Sequence, residues 1–161
     1  MKILLPVDGS EPSLAAVRQA LALVAQGLQA SFVLANVQEP PSLYEVVVAH
    51  DPDVLAKMRG AAGDDLLAPA AALLDAVQAE YESEVAGGQA ATLLVDLCEN
   101  YGCDLVVMGA RGVGAPDARG LGSVAHALLL HCPVPVMIVH SAAVDAETPA
   151  ADESDSEAPA A

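Results

Sequence analysis

Residues 108–124 read MGARGVGAPDARGLGSV, and their types and spacing suit them to hold an anion. Gly109 and Gly112 stand three apart, and nine residues separate Gly112 from the pair Gly122-Ser123. Ahead of them runs Asp104-Leu105-Val106-Val107-Met108, short, apolar and bounded by turn residues, the pattern of a strand buried on both faces. Behind them, Val124-Ala125-His126-Ala127-Leu128-Leu129 has helix-forming character. Glycine admits positive φ and leaves backbone N–H groups unobstructed, while a helix N-terminus offers unpaired N–H groups and a partial positive charge. A phosphate is the ligand that such an arrangement suits.

Two commoner phosphate loops do not fit. A Walker A loop needs Gly-Lys-Ser or Gly-Lys-Thr, and the region holds no lysine. A dinucleotide fingerprint starting at Gly112-Val113-Gly114 needs glycine or alanine where this chain has Asp117. The pattern Gly-x2-Gly-x9-Gly-Ser instead resembles the nucleotide motif of the universal stress protein family. The opening Ile3-Leu4-Leu5-Pro6-Val7-Asp8-Gly9-Ser10, the central Leu34-Ala35-Asn36-Val37 and the closing Cys132-Pro133-Val134-Pro135-Val136-Met137-Ile138-Val139 are similar to that family too, in its order, over roughly residues 1–140.

The resemblance implies an open, doubly wound, five-stranded parallel α/β sheet of order 3-2-1-4-5, Rossmann-like and of the adenine nucleotide alpha hydrolase type. It implies a stress-response regulator that binds ATP or a related adenine nucleotide, with magnesium as a candidate companion, and a homodimer formed through the last strand. Carried over residue by residue, Asp8 corresponds to the aspartate that hydrogen-bonds the ribose, and Val37 to the residue whose backbone recognises adenine. Pro6 and Met108 would flank the base. Gly109, Gly112, Gly122, Ser123 and Val124 match the phosphate and ribose contacts, the last three through backbone N–H groups and the serine hydroxyl. Each has a plainer alternative: Asp8 or Ser123 as a helix cap, Pro6 and Met108 as core, the glycines as an ordinary loop. Arg111 and Arg119 are the only cations near the spacer. A slow ATPase, or a dimeric interaction module that holds no nucleotide, are the rival functions, and no residue stands out as a general base.

The elements that must position these residues follow from periodicity and punctuation. Residues 2–7 read as a strand, and Asp8-Gly9-Ser10-Glu11-Pro12 turns it into a helix with Ser10 as N-cap and Pro12 in the first turn. Leu14, Val17, Leu21, Val24 and Leu28 repeat every three or four residues, one buried stripe, and Gly27 is the stop. Residues 30–37 form the second strand, so a right-handed crossover and a parallel sheet are expected. Residues 38–65, broken by Pro40-Pro41 and Asp51-Pro52, read as a long mobile insertion, with Glu45-Val46-Val47-Val48 ambiguous between strand and helix. A helix over 64–79 should be kinked at Pro69 or start there. A strand over 81–85, a turn at Gly87-Gly88, a helix over 90–101 capped by Gly102, a helix over about 121–130 and a strand over 134–139 complete the domain, residues 1–144.

Beyond it, residues 145–161 scatter six acidic residues among Ala, Pro, Thr and Ser without apolar periodicity, the composition of a disordered tail. The whole chain carries −16 with only six Lys and Arg. Residues 1–144 keep sixteen acidic residues against those six, a net −10. Such a surface argues against nucleic acid and anionic membranes as partners, and a 2% aromatic content removes base-stacking platforms. No apolar run reaches the roughly 18 residues of a membrane span, and Met1-Lys2 leads straight into a strand, so a cytoplasmic protein is expected. Cys98, Cys103 and Cys132 form no C-x-x-C and read as buried thiols. His50, His126, His131 and His140 lack metal-ligand spacing.

Overall fold

The computed structural model describes residues 1–40, 45, 51–113 and 120–141. The expected tail at 145–161, the spacer residues 114–119 with Arg119, and all of 41–50 except Glu45 lie outside the described residues. Five parallel strands form one sheet: β1 (Lys2–Pro6), β2 (Ser31–Gln38), β3 (Tyr81–Gly87), β4 (Leu105–Gly109) and β5 (Val136–Val139), in the order β3-β2-β1-β4-β5. This is the expected architecture, with β1 central because its apolar run is buried on both faces: Ile3, Leu4 and Leu5 are fully inaccessible. Register is set by pairs such as Pro6 with Ala35, Leu4 with Val106, and Gly109 with Val139. All five strands therefore end at one edge.

Two layers of helix cover the sheet. On one face, α1 (Glu11–Ala25) and α2 (Pro52–Ala76) bury Ala16, Val17, Ala20, Leu67, Ala70 and Leu74 against Ile3, Leu5, Phe32 and Leu34. On the other, α3 (Ala90–Asn100) and α4 (Ser123–His131) bury Leu94, Leu97, Cys98, Ala125 and Leu128 against Leu4, Val33, Val106 and Met108. In α1 the expected stripe of large residues is only partly buried apart from Val17. Its innermost positions are instead Ser13, Ala16, Val17 and Ala20, whose small side chains let the helix lie close on the sheet.

One expectation is overturned. Within the stretch 38–65, residues 52–65 are not structureless, because α2 begins at Pro52 and runs 25 residues without interruption. Asp51-Pro52, read as a chain break, is the helix start: the Asp51 side chain accepts from the Asp53 N–H at 2.9 Å, and Pro52 occupies the first turn, where a missing N–H costs nothing. Pro69 neither begins nor ends the helix. A proline in a helix interior costs about 3 kcal/mol, and burial of Leu67, Ala70 and Leu74 on either side, each 3% exposed or less, offsets it. At about 1.5 Å per residue α2 is about 37 Å long, so its first turns outrun the sheet, and Val54 and Met58 stay exposed.

Smaller boundaries shift as well. β3 extends to Gly87, β5 starts at Val136 rather than 134, and α4 starts at Ser123 rather than 121. Helix α3 ends in a Schellman turn: Gly102 takes φ +62°, its N–H reaches Glu99 O at 3.1 Å, and the Cys103 N–H reaches Cys98 O at 2.9 Å. That turn stacks Cys98 and Cys103 together in the core beside Cys132; the first two are buried, as expected, while Cys132 is only half-buried. No helix among the described residues is long and apolar enough to cross a membrane.

Candidate functional site

The carboxyl edge of the sheet gathers the residues that the sequence singled out. β1 continues past Pro6 into Val7, whose N–H bonds Ala35 O of β2 at 2.8 Å and whose carbonyl accepts from the Asn36 side-chain amide at 2.8 Å. Asn36 is 2% exposed, and its own oxygen accepts from Gln38 Nε2 at 2.6 Å. Sequence reasoning gave Asn36 no role, although an amide in an otherwise apolar strand is a signal of a satisfied buried bond. This chain of bonds fixes the end of β1 and hence the next residue, Asp8.

Asp8 is partly buried, and both of its carboxylate oxygens accept hydrogen bonds. Its Oδ1 accepts from the Ser10 N–H at 3.0 Å and from the Ser10 hydroxyl at 2.5 Å. Its Oδ2 accepts from the Val113 N–H at 3.0 Å, across 105 positions of sequence. Burial alone pushes the Asp8 carboxyl up, but the bonds from Ser10 and Val113 favour the charged form and hold it below its ordinary 3.8. The capping alternative for Asp8 is partly realised: it orders the turn into α1, while the N-cap itself is Ser10, whose Oγ accepts from the Ser13 N–H at 3.4 Å.

The glycine loop rises from β4 on the far side of β1. Ala110 N–H bonds Val139 O at 2.8 Å, Gly122 N–H returns to Ala110 O at 2.8 Å, and His126 N–H begins α4 on Gly122 O at 2.9 Å. The loop is thus pinched shut at its base. Gly122, with φ −65° and ψ 159°, is the N-cap of α4, so Ser123 is its first helical residue and not its cap, and no side chain caps the helix. Gly109, Gly112 and Gly122 all have negative or extended φ, so of the two freedoms glycine offers, positive φ is not the one used at these positions. Among the described residues of this region, Gly120 takes positive φ, at +123°.

Space, not φ, explains two of the motif glycines. A β-carbon on Gly109 would lie 2.7 Å from the Pro12 carbonyl of α1, and one on Gly112 would lie 2.2 Å from Asp8 Oδ2. Gly122 differs, since a β-carbon there would meet Ala110 O and the Arg111 Cα at 3.5 Å, ordinary contact. Its missing side chain leaves the mouth of the loop open, next to the first N–H groups of α4. Ser123 is exposed and Val124 half-buried at that mouth. Met108 is 6% exposed and packs into the core under α3 and α4, and Pro6 and Val37 are half-buried at the ends of β1 and β2.

A separate cleft of about 390 Å³ lies between the first turns of α2 and the ends of β2 and β3, with Gln38, Leu55, Arg59, Val85 and Gly87 among its walls. It includes neither Asp8 nor any motif glycine. The Arg59 guanidinium is held there by Glu39 O and by Glu45, the latter at 3.6 Å. Among the described residues no group of three or more His, Cys, Asp or Glu is placed to hold a metal ion.

What the edge offers a ligand is therefore one carboxylate at the end of β1 and one closed loop ending in an uncapped helix N-terminus after β4. They sit where the strand order reverses, the place at which open parallel sheets receive ligands.

The chain is similar to proteins of known structure. Among curated proteins none matches the chain at a significant level. Solved structures do: a universal stress protein UspA from Lactobacillus plantarum is 24% identical with a TM-score of 0.73, covering 86% of this chain and 97% of its own. A universal stress protein in complex with cAMP is 24% identical with a TM-score of 0.59, covering 87% and 96%. A universal stress protein family protein of Arabidopsis thaliana with AMP bound is 17% identical with a TM-score of 0.62, covering 92% and 97%. At these identities the likeness is one of fold. The sequence profile described as "Universal stress protein family" matches residues 1–140, and the chain belongs to that family.

Proposed function

We propose that this protein binds an adenine nucleotide, ATP foremost, at the carboxyl edge of its sheet, and that it acts as a stress-response regulator through that ligand rather than as a vigorous enzyme. The observation that carries the reading is the meeting of Asp8 with the pinched loop of β4 at the strand-order reversal. In this reading the ribose hydroxyls reach Asp8, the base lies toward Val37 between Pro6 and Met108, and the phosphates lie along the loop from Gly109 to Ser123 and Val124. The partial charge of the α4 N-terminus and its free N–H groups then favour the anion. Relatives of the same fold that carry cAMP and AMP support the adenosine part. Magnesium enters on the phosphates, where it offsets a folded domain of net −10.

The test is calorimetric titration with ATP, AMP and cAMP, with and without magnesium, together with mass spectrometry of whatever nucleotide leaves the purified protein on denaturation. Saturable binding of ATP, tightened by magnesium, is expected. Heat no larger than dilution for all three nucleotides would end the reading and favour the nucleotide-free interaction module.

The partner in this reading is a second copy. β5 is an edge strand whose residues Val136, Met137, Ile138 and Val139 are all half-buried and uncharged, whereas the opposite edge, β3, carries Glu82 and Glu84. An apolar edge invites strand pairing and a charged one discourages it. Ile138→Lys is expected to convert a dimer to a monomer in sedimentation at micromolar concentration, and a wild-type chain that already runs as a monomer would overturn this assembly.

A further inference from the structure

Asp8 Oδ1 has both lone-pair positions taken by Ser10, and Oδ2 has one taken by the Val113 N–H. Among the hydrogen bonds of the described residues, Oδ2 is the oxygen left with an open acceptor position. It is the same oxygen that holds the glycine loop, so any hydroxyl given to Asp8 must share that oxygen with Val113. Gly112 fits the same picture: a β-carbon there would stand 2.2 Å from this oxygen, and no other neighbour lies closer to it than the Asp8 carboxylate. Gly112 is not at positive φ, so its backbone would accept another residue. What forbids one is Asp8.

We infer that Asp8 is a positioning residue for the phosphate loop: its Oδ2 latches the Val113 N–H and so sets residues 109–113 in the shape that receives phosphate beside Gly122. The inference deepens the nucleotide reading and rests on it for the ligand. Asp8 thereby acts on parts of the ligand that it does not touch. A contact confined to the ribose would matter only for ligands with a ribose, whereas a latch matters also for a bare polyphosphate. It equally explains why the residue beside Val113 has no side chain, which a ribose contact leaves without a reason.

The experiment compares wild type with Asp8→Asn and Gly112→Ala, by two readouts. The first is solvent exchange of the Val113 backbone amide, followed by NMR. Asn at position 8 can still accept from Ser10 but turns an N–H toward either Ser10 or Val113, and Ala at 112 pushes the carboxylate off the loop while leaving it charged. Exchange at Val113 is expected to quicken on the order of tenfold in both, the loss of one hydrogen bond to a charged group, with thermal stability of the core little altered. The second readout is inorganic tripolyphosphate, measured by its competition against bound ATP. Both variants are expected to weaken it on the order of tenfold.

Unchanged Val113 exchange in both variants would overturn the latch. Quickened exchange with undiminished tripolyphosphate affinity would overturn its role in shaping the loop and return Asp8 to a ribose contact. A wild-type chain with no affinity for ATP would sink the nucleotide reading instead, and the amide result would still decide for or against the latch.

Discussion

Gly63 of α2 and Val85 of β3 leave no room between them for one methyl group: a β-carbon on Gly63 would lie 2.3 Å from Val85 Cγ1 and 3.1 Å from Asn36 Oδ1. The long helix therefore lies close against the sheet beside the Asn36 side chain that ties β2 to the end of β1. Packing of the helical layer and placement of the ligand edge meet at this contact.

The first prediction concerns that contact. Gly63→Ala should raise intrinsic helix propensity by about 1 kcal/mol, yet overpacking of a tight core typically costs 1–3 kcal/mol, that is, about as much or more. With both Val85 methyls within 2.9 Å of the new group, the cost should win. A net loss of about 1 kcal/mol is expected, read as a lower urea midpoint at unchanged slope. A gain in stability would show that Val85 turns aside freely.

The motif glycines should separate into two kinds. Gly122→Leu is expected to leave thermal stability near wild type, because its β-carbon meets only ordinary contacts, while the rest of the side chain blocks the loop mouth and lowers ATP affinity at least on the order of tenfold. Gly109→Ala should fail differently, destabilising the fold, because its methyl would run into the backbone of Pro12 and not a side chain that can move. Calorimetry and thermal unfolding of the two variants check this together, and unchanged affinity in Gly122→Leu would remove that residue from the site.

Acid should act through Asp8. Its folded pKa lies below the ordinary 3.8, since the bonds from Ser10 and Val113 outweigh the burial that opposes them. The stabilisation this represents is complete above the unfolded pKa and is lost as pH falls through the lower, folded one. Urea midpoints of wild type and Asp8→Asn, measured from pH 6 to pH 2, should therefore differ most above about pH 4 and converge below it. A constant gap across that range would mean that the carboxylate charge is not what stabilises the turn.

The three thiols should differ in reactivity. Burial, reinforced by the neighbouring Cys132 and Cys103 thiols, pushes Cys98 up to about 12, and burial also raises Cys103. At neutral pH both stay protonated, and the thiolate is the nucleophile. Iodoacetamide on the native protein should modify Cys132 first, the one thiol of the three that is not fully buried, and all three in denaturant. Peptide mass spectrometry reads the order, and rapid native labelling of Cys98 would contradict the packing under α3.

The five strands and most helix ends among the described residues were legible in the sequence because the signals that carry them are local, whereas the strand order came with the family resemblance. A buried strand, a Ser10 cap, a Gly27 or Gly102 stop and a spacing of glycines are each written within a few residues of chain. The start of α2 was equally local, yet it was misread, since Asp51-Pro52 breaks a chain and begins a helix with the same two residues. Its continuation through Pro69 was not local at all: only the burial of Leu67, Ala70 and Leu74 against the sheet carries a helix past a proline.

What tertiary structure alone decided is why particular residues are what they are. The sequence marks Gly109 and Gly112 as glycines of a phosphate motif, but their lack of side chains answers to Pro12 and Asp8, nearly a hundred or more positions away. Asn36 reads as one polar letter in an apolar strand until its amide is seen on the Val7 carbonyl, and Asp8 reads as a ligand group or a cap until Val113 is seen on its second oxygen. Periodicity reports the face on which a side chain lies. Which atom stands opposite it is set by how the chain closes on itself, and a hydrogen bond or a steric limit of a few tenths of an ångström exists only between atoms so placed.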